Sequence, residues 1–195
     1  TTQKFGDIIA YLEDNTYNYF YNNVIYDNFG NIAIPNSVND RITSFGANYH
    51  YYLNRVKFYL NFSNAITNQS ISNIEAIAKY KLNDDYQFEF KYQKLNSLAN
   101  LNYTLYQSDY VEYNWYNNFK NEKRNQIQFK ANTKWLNVEL NYSVHKDYLF
   151  FYNTTEDIEN LSVKPFQYDN TINHFSIKAN KEIKFWKLAL DNTIL

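Results

Sequence analysis

The sequence predicts an all-β chain that folds as an antiparallel, up-and-down transmembrane β-barrel. Three observations lead to this prediction. Segments of about ten residues alternate apolar and polar side chains, as strands with two different faces do. Short and long connections alternate along the chain. No amphipathic helix is visible that would cover the apolar side of the strands. Lipid is then the expected cover, because strands that span a membrane satisfy their backbone by pairing with each other.

The clearest strands lie between residues 73 and 93 and are joined by a turn at Asn83 and the two aspartates after it. Their apolar parity continues across the turn, whereas the other parity is charged or polar apart from Ile77. The apolar side chains are Ile74, Ala76, Ala78, Tyr80, Leu82, Tyr86, Phe88, Phe90 and Tyr92. This pair is therefore predicted to be a hairpin with one apolar face and one charged face.

The other strands follow in chain order with the same alternation. A strand is predicted over residues 3–12, and residues 13–40, which are rich in Asn, Tyr and Asp and contain Pro35, are predicted to form a long polar loop. A hairpin follows over residues 45–63, around Asn54 and Arg55. Residues 95–121 and 151–170 are predicted to be long connections on either side of a hairpin that reverses near Lys134. A last pair of strands is predicted around a turn at residues 180–182.

The order of the connections indicates the topology. Tight reversals at Asn54, Asp84, Lys134 and Lys181 are separated by longer loops at Asn68, Asn102 and Thr155. In outer-membrane barrels the short turns are periplasmic and the long loops are outside. Strands are predicted to begin near Gln3, Arg41, Val56, Asn73, Tyr86, Glu122, Leu136, Ile172 and Lys184, about nine in all. Because bacterial single-chain barrels have an even number of strands, residues 1–195 are expected to be a single β-barrel segment of a longer chain.

The alternation assigns side chains to two environments. Those expected to face lipid are Phe58, Leu60, Phe88, Phe90, Ile127, Phe129, Val138 and Leu140. Those expected to face a water-filled lumen are Lys57, Glu75, Lys79, Lys81, Glu89, Lys91, Lys130, Glu139, His50, His145 and His174. Trp135 and Trp186 lie at or just after tight turns, where an aromatic belt is expected at the membrane surface. The alternative is that both are ordinary core Trp residues.

Composition excludes several classes of protein. The net charge of −1 provides no basic face for a nucleic-acid partner, and the lack of Cys excludes disulfides and Cys-based zinc sites. Aromatic residues make up 20% of the chain although the mean hydropathy is −0.65, a mixture that is unusual for a water-soluble core. An AT-rich genome also raises Asn, Tyr and Lys. No apolar run reaches the roughly 18 residues of a transmembrane helix, and no basic-then-apolar leader is visible, so any export signal is expected to be removed or outside this chain.

Candidate catalytic residues lie on the polar parity. Ser143 and Ser176 are each two residues from a His, and with a carboxylate such as Glu139 they would supply the parts of a Ser hydrolase. The sequence has no nucleophile-elbow motif and no H-E-x-x-H metal motif. Since a lumen is lined by whatever is polar, we expect no enzymatic activity, no metal and no cofactor.

Two segments carry a family resemblance. Residues 102–123, NYTLYQSDYVEYNWYNNFKNEK, and residues 186–194, WKLALDNTI, resemble the β-barrel porins of Bacteroidetes outer membranes. The resemblance implies a β-barrel of the bacterial cell outer membrane, in a family whose members are longer than this chain and whose substrate is usually unassigned. The chain ends at Leu195, without the terminal aromatic residue that outer-membrane barrels commonly carry.

The function expected from these observations is a porin that lets small hydrophilic solutes diffuse passively across an outer membrane. Its partners would be outer-membrane lipids and the solutes, with lumen charges of both signs giving only weak ion selectivity. One alternative is a plugged or structural barrel that serves as a subunit of a secretion or uptake complex with other outer-membrane or secretion-system proteins. Another alternative is a secreted all-β binding module whose apolar parity forms a sandwich core.

Overall fold

A computed structural model describes residues 5–153, 162–185 and 188–194. Nine long strands in these residues form one antiparallel sheet in which each strand pairs with the next long strand along the chain. In this order they are β1 (Asp7–Phe20), β4 (Ser37–Leu53), β5 (Val56–Ala65), β6 (Ser72–Lys81), β7 (Gln87–Ser97), β10 (Glu122–Asn132), β11 (Asn137–Lys146), β14 (Ile172–Phe185) and β15 (Leu188–Ile194). The predicted all-β, antiparallel, up-and-down arrangement of about nine strands is confirmed.

The predicted closure into a barrel is not seen in the described residues. The nine-stranded sheet is open, with β1 and β15 at its two edges. The strand count explains this difference. In a sheet of alternating directions the first and ninth strands run parallel to each other, so these two edges cannot close the sheet by the antiparallel pairing that joins all its other strands.

The bounds predicted for the long loop, residues 13–40, are wrong at both ends, because β1 and β4 extend into this segment. Strand β1 continues to Phe20 and pairs residue for residue with β4, from Asp7 opposite His50 to Phe20 opposite Ser37. Asn and Asp are strong turn formers, which is why this polar segment was predicted to be a loop. Here the ladder with β4 satisfies the backbone, and Arg41 on β4 binds Asp14 on β1 with 2.9 Å between Nη2 and Oδ2.

The tight reversal predicted at Lys181 is also wrong. Strand β14 runs through this residue to Phe185, and Lys181 lies opposite Asn192 on β15. A cluster of charged residues therefore belongs to a strand rather than to a turn, because both strands continue pairing beyond it. The start predicted for the last strand, near Lys184, moves to Leu188.

The other three tight reversals are confirmed, and each has a local cause. Asn54 adopts the left-handed conformation, with φ of 49°, which Asn tolerates better than most residues. The side-chain oxygen of Asn83 accepts hydrogen bonds from the backbone N–H of Asp85 and Tyr86, at 3.0 and 2.9 Å. The Thr133 hydroxyl likewise donates to the Leu136 carbonyl at 2.6 Å. All three turns lie at one end of the sheet, which we call the short-turn end.

The longer connections lie at the opposite end and carry structure of their own. Between β1 and β4 are β2 (Ile25–Tyr26) and β3 (Ile32–Ile34), and between β11 and β14 is a hairpin of β12 (Tyr148–Asn153) and β13 (Val163–Tyr168). Residues 98–121, which we call the loop cap, contain α1 (Leu101–Thr104), β8 (Leu105–Tyr106), a 3₁₀ turn (Val111–Tyr113) and β9 (Trp115–Tyr116). The long connection predicted between β7 and β10 is thus confirmed, except that β7 continues to Ser97.

Burial in this chain is inverted relative to a water-soluble sandwich. Among the described residues the buried hydrophobic side chains are those of Ala65, Leu105, Trp115 and Leu149. Three of these four lie in the long connections, whereas many large apolar side chains of the sheet are exposed, among them Phe58, Leu60 and Phe90. A sheet whose apolar face is open to its surroundings, with most of its described buried hydrophobic side chains in its loops, is compatible with lipid contact.

Candidate functional site

The strand register sorts the side chains of the sheet into two faces. One row of opposed residues crosses eight strands side by side. Its members are Ile8, Tyr49, Leu60, Ala76, Tyr92, Ile127, Tyr142 and Phe175. The row that neighbours it contains Phe58, Phe90, Phe129 and Leu140. All eight side chains predicted to face lipid lie on this apolar face, and no described element covers it.

The same row shows that the strands are staggered. Ile8 is the second residue of β1, at its short-turn end, whereas Phe175 is the fourth of fourteen residues in β14 and lies near its long-loop end. A row that begins near the short-turn end of one strand and finishes near the long-loop end of another means that the strands are tilted relative to the row. Such tilt and stagger are the geometry of sheets that curl into barrels.

The opposite face is polar, and all eleven side chains predicted to face the lumen have its parity. The sheet brings six of them together as cross-strand ion pairs. Lys91 binds Glu75, Lys79 Nζ lies 2.9 Å from Glu89 Oε2, and Lys130 Nζ lies 3.6 Å from Glu139 Oε2. The two residues of each ion pair lie on different strands and are not adjacent in sequence, so only the strand register reveals the pairing.

Amide side chains extend these pairs into a hydrogen-bonded network on the polar face. Asn61 Nδ2 donates to Glu75 Oε1 at 2.9 Å, and Gln128 Nε2 donates to Glu139 Oε1 at 2.6 Å. Gln126 donates to Asn141 in the same way at 2.7 Å. The carboxylates of Glu75 and Glu139 therefore each have both a lysine and an amide partner.

The candidate hydrolase residues form a partial arrangement. The Ser143 hydroxyl lies 3.0 Å from His145 Nε2, two residues along β11. Glu139, the carboxylate considered with them, instead accepts from Gln128 and pairs with Lys130. His174 lies opposite Ser143, whereas His50 lies on β4, with four strands between it and β11. A nucleophile beside a base without an orienting carboxylate lacks the third part of a hydrolase triad.

The two predicted belt residues are Trp135 and Trp186. Trp135 lies in the turn between β10 and β11 and is exposed, at the short-turn end of the sheet. Trp186 lies outside the described residues, between β14 and β15. An exposed indole at the end of an apolar band is the position that a membrane–water interface favours.

The loop cap is held by hydrogen bonds on both sides. Tyr19 at the end of β1 donates to Asn102 Oδ1 at 2.8 Å, and Gln107 donates to the carbonyls of Asn23 and Pro35 at 2.9 and 3.1 Å. On the other side, the Lys120 N–H donates to Gln167 Oε1 at 2.9 Å, and Gln167 Nε2 donates to the Lys120 carbonyl at 2.8 Å. In the neighbouring loop, the Leu149 N–H donates to the Glu122 carboxylate at 2.9 Å. Tyr19 and Glu122 both have the parity of the polar face, so the loops are anchored on the polar side of the sheet.

The interior of the cap is aromatic. Trp115 stacks on Tyr106 with 4.8 Å between ring centroids, contacts Phe151 edge to face at 6.0 Å, and donates its Nε1–H to the Asn102 carbonyl at 3.0 Å. Tyr103 stacks on Phe151 at 4.8 Å. The sequence interpretation did not find this cluster, because its members are spread over two connections and follow neither strand nor helix spacing.

One carboxylate stabilises the loop between β2 and β3. The backbone N–H and side chain of Asn31 donate to Asp27, together with the backbone of Phe29 and Gly30, and these hydrogen bonds hold the pKa of Asp27 below its ordinary value. The stability that ionised Asp27 contributes to the loop is present at pH values above the ordinary carboxyl pKa and is lost as the pH falls through the lowered pKa.

In the part of the chain that is described, no group of three or more His, Asp or Glu side chains is placed to hold a metal ion. Nor is any helix there long and apolar enough to cross a membrane. The site defined by the structure is therefore one extended polar face with paired charges, backed by an exposed apolar face and flanked at one end by packed loops. Strands with one apolar and one polar face are the arrangement that outer-membrane barrels have.

Comparison with known proteins agrees with this class. A family model described as "Putative porin" matches residues 1–195, the whole chain, and the chain belongs to that family. The resemblance found in the sequence is thereby confirmed, and membership supports a porin-like outer-membrane protein at the level of the family. Neither the curated proteins nor the solved structures compared with the chain contain a match.

Proposed function

We propose that the chain forms the wall of an outer-membrane porin through which small hydrophilic solutes diffuse passively. The observation that carries the proposal is the separation of the two faces, an exposed apolar face and a polar face with paired charges on the same strands. Solutes would be sorted by the width of the lumen and by the fixed charges that line it. No covalent step is part of this function, so no cofactor and no catalytic residue take part.

Size-dependent flux tests the proposal. Full-length protein reconstituted in liposomes should admit neutral sugars, with a swelling rate that falls steeply as the sugar grows, because a lumen sieves by width. Protein denatured by heat before reconstitution is the control and should give no swelling. Liposomes that contain folded protein, shown by its heat-modifiable mobility on gels, yet admit no sugar would contradict the porin function.

The loop asymmetry leads to a prediction about topology. With the long connections outside the cell, trypsin added to intact cells should cut at exposed basic residues of these loops, such as Lys120. It should not cut at Arg55 or Lys134, which lie in tight turns at the short-turn end. Cells opened by osmotic shock provide the control, since all sites are then reachable. Cleavage at Arg55 in intact cells would reverse the orientation.

The packed loop cap favours a second candidate, a plugged or structural barrel that is a subunit of a surface secretion or uptake complex. The connections around the cap expose large aromatic side chains, with Phe29 90% and Tyr110 73% exposed. Exposed aromatic residues on ordered loops suit protein contacts. A barrel that is folded but electrically silent in a planar bilayer, and that copurifies with a stoichiometric envelope protein, would support this candidate over the porin.

A further inference from the structure

Cationic side chains are concentrated at the short-turn end of the polar face. A groove of about 320 Å³ opens there, and its charged lining consists of Arg55, Lys57, Lys79, Lys81, Lys130 and Glu89. A smaller groove of about 100 Å³ shares Lys130 with the first and adds Lys178 and Glu139. Six cations therefore face two carboxylates along this end of the sheet.

Most of these charges belong to one transverse row. Across successive strands the register places Lys57 opposite Lys79, Lys79 opposite Glu89, Glu89 opposite Lys130, Lys130 opposite Glu139 and Glu139 opposite Lys178. The row therefore carries four cations and two anions. Two of its cations, Lys57 and Lys79, stand directly opposite each other, an arrangement that destabilises a sheet unless another charge compensates it.

The carboxylates near this row are already in ion pairs. Glu89 pairs with Lys79, Glu139 pairs with Lys130, and Asp84 in the turn accepts from Lys81 at 2.7 Å. The Lys81 hydrogen bond also holds the pKa of Asp84 below its ordinary value.

Three cations of the two grooves remain without a carboxylate partner in the described part of the chain. They are Arg55, Lys57 and Lys178. Lys57 has only the ring of Tyr52 beneath its ammonium group, at 5.8 Å from the centroid.

The next two rows of the polar face differ from this one. There Lys91 is matched by Glu75, and the side chains around them are mostly neutral, including Asn61, Gln128 and Asn141. Among these three rows, the excess of positive charge therefore lies in the one nearest the short-turn end. Charges of opposite sign alternate along the sequence, which suggests weak ion selectivity. Pairing across strands, however, neutralises the carboxylates and leaves three of the cations without a carboxylate partner.

We infer that this cationic row and its groove form an anion-binding vestibule at the periplasmic mouth, which selects small solutes bearing carboxylate or phosphate groups. The inference rests on the proposed porin function and names the solute class of that same lumen. Unpaired cations at a constriction raise the local concentration of anions and bias which ions enter. Lys ammonium and Arg guanidinium groups are the side chains that bind phosphate and carboxylate oxygens.

The test is ion selectivity of the full-length protein in a planar bilayer under a KCl gradient. The wild type should pass chloride in preference to potassium. The variant R55Q/K57Q/K178Q removes three charges without leaving any carboxylate unpaired, and its zero-current potential should shift toward cation selectivity. The control K94Q/K120Q/K146Q makes the same change in charge at exposed residues away from the groove and should keep the wild-type potential. Inorganic phosphate and acetate, added in turn, should each reduce the chloride current of the wild type in a saturable way.

The outcomes separate this inference from the function on which it rests. Channels that admit neutral sugars but prefer potassium, or whose potential does not change in R55Q/K57Q/K178Q, would overturn the vestibule and leave the porin standing. Folded protein that is silent to both sugars and ions would reject both. A phosphate block without an acetate block would restrict the solute class to phosphate-bearing anions.

Discussion

Replacing Phe90 by Arg should destabilise the membrane-inserted protein by about 2–4 kcal/mol, the cost of Arg on the lipid face near the bilayer midplane. Phe90 is the middle of three aromatic residues on the apolar parity of β7, with Phe88 and Tyr92 on either side. Phe129 on β10 lies opposite Phe90, whose side chain is 46% exposed. The free energy of unfolding in lipid vesicles, from denaturant titration followed by heat-modifiable mobility, measures the effect.

Two controls on the polar face make this result specific. Lys91→Arg, one residue along the same strand, keeps the charge and should change the free energy of unfolding hardly at all. Gln128→Arg introduces the same new charge on the polar face, where Glu139 lies within hydrogen-bonding reach, and should cost far less than Phe90→Arg. Equal losses at Phe90 and Gln128 would contradict the assignment of the two faces.

Trp115→Ala should open the loop cap while the sheet stays folded, with a local loss of about 3–5 kcal/mol, as for large aromatic residues removed from a core. The indole is 9% exposed, contacts Tyr106 and Phe151, and donates to the Asn102 carbonyl. Hydrogen exchange measures the change. The Asn117 amide, which donates to the Thr104 carbonyl at 2.7 Å, should lose its protection, and the amides of β10 and β11 should keep theirs.

The matched control is Tyr116→Ala, the adjacent residue, whose side chain is 49% exposed. It should leave the protection of Asn117 nearly unchanged, because it removes little buried area. If both substitutions open the cap alike, the aromatic cluster is not what holds it. If Trp115→Ala also unfolds the sheet, the cap and the sheet form one cooperative unit rather than two.

The faces of the strands could be predicted because they depend on parity alone. In a strand successive side chains point to opposite sides, so a run such as Phe88 to Tyr92 assigns its faces without knowledge of its neighbours. The three tight turns at Asn54, Asp84 and Lys134 were predictable for a similar reason, since residues within the turns themselves favour them. Strand ends were less predictable where polar residues continue into a ladder, as between Asp14 and Phe20.

Alternating residues, local turn chemistry and the order of short and long connections by themselves determined that the described part of this chain is an antiparallel sheet of about nine strands with one apolar and one polar face. All three signals act over a few residues, and so they can be read along the chain. Which charges meet was decided only by the tertiary structure. The pairing of Lys91 with Glu75 and of Lys130 with Glu139, the like charges of Lys57 and Lys79, and the packing of Trp115 against Phe151 all depend on register or on contacts between separate loops. Such contacts join residues whose positions along the chain carry no common period, and only the folded sheet brings them together.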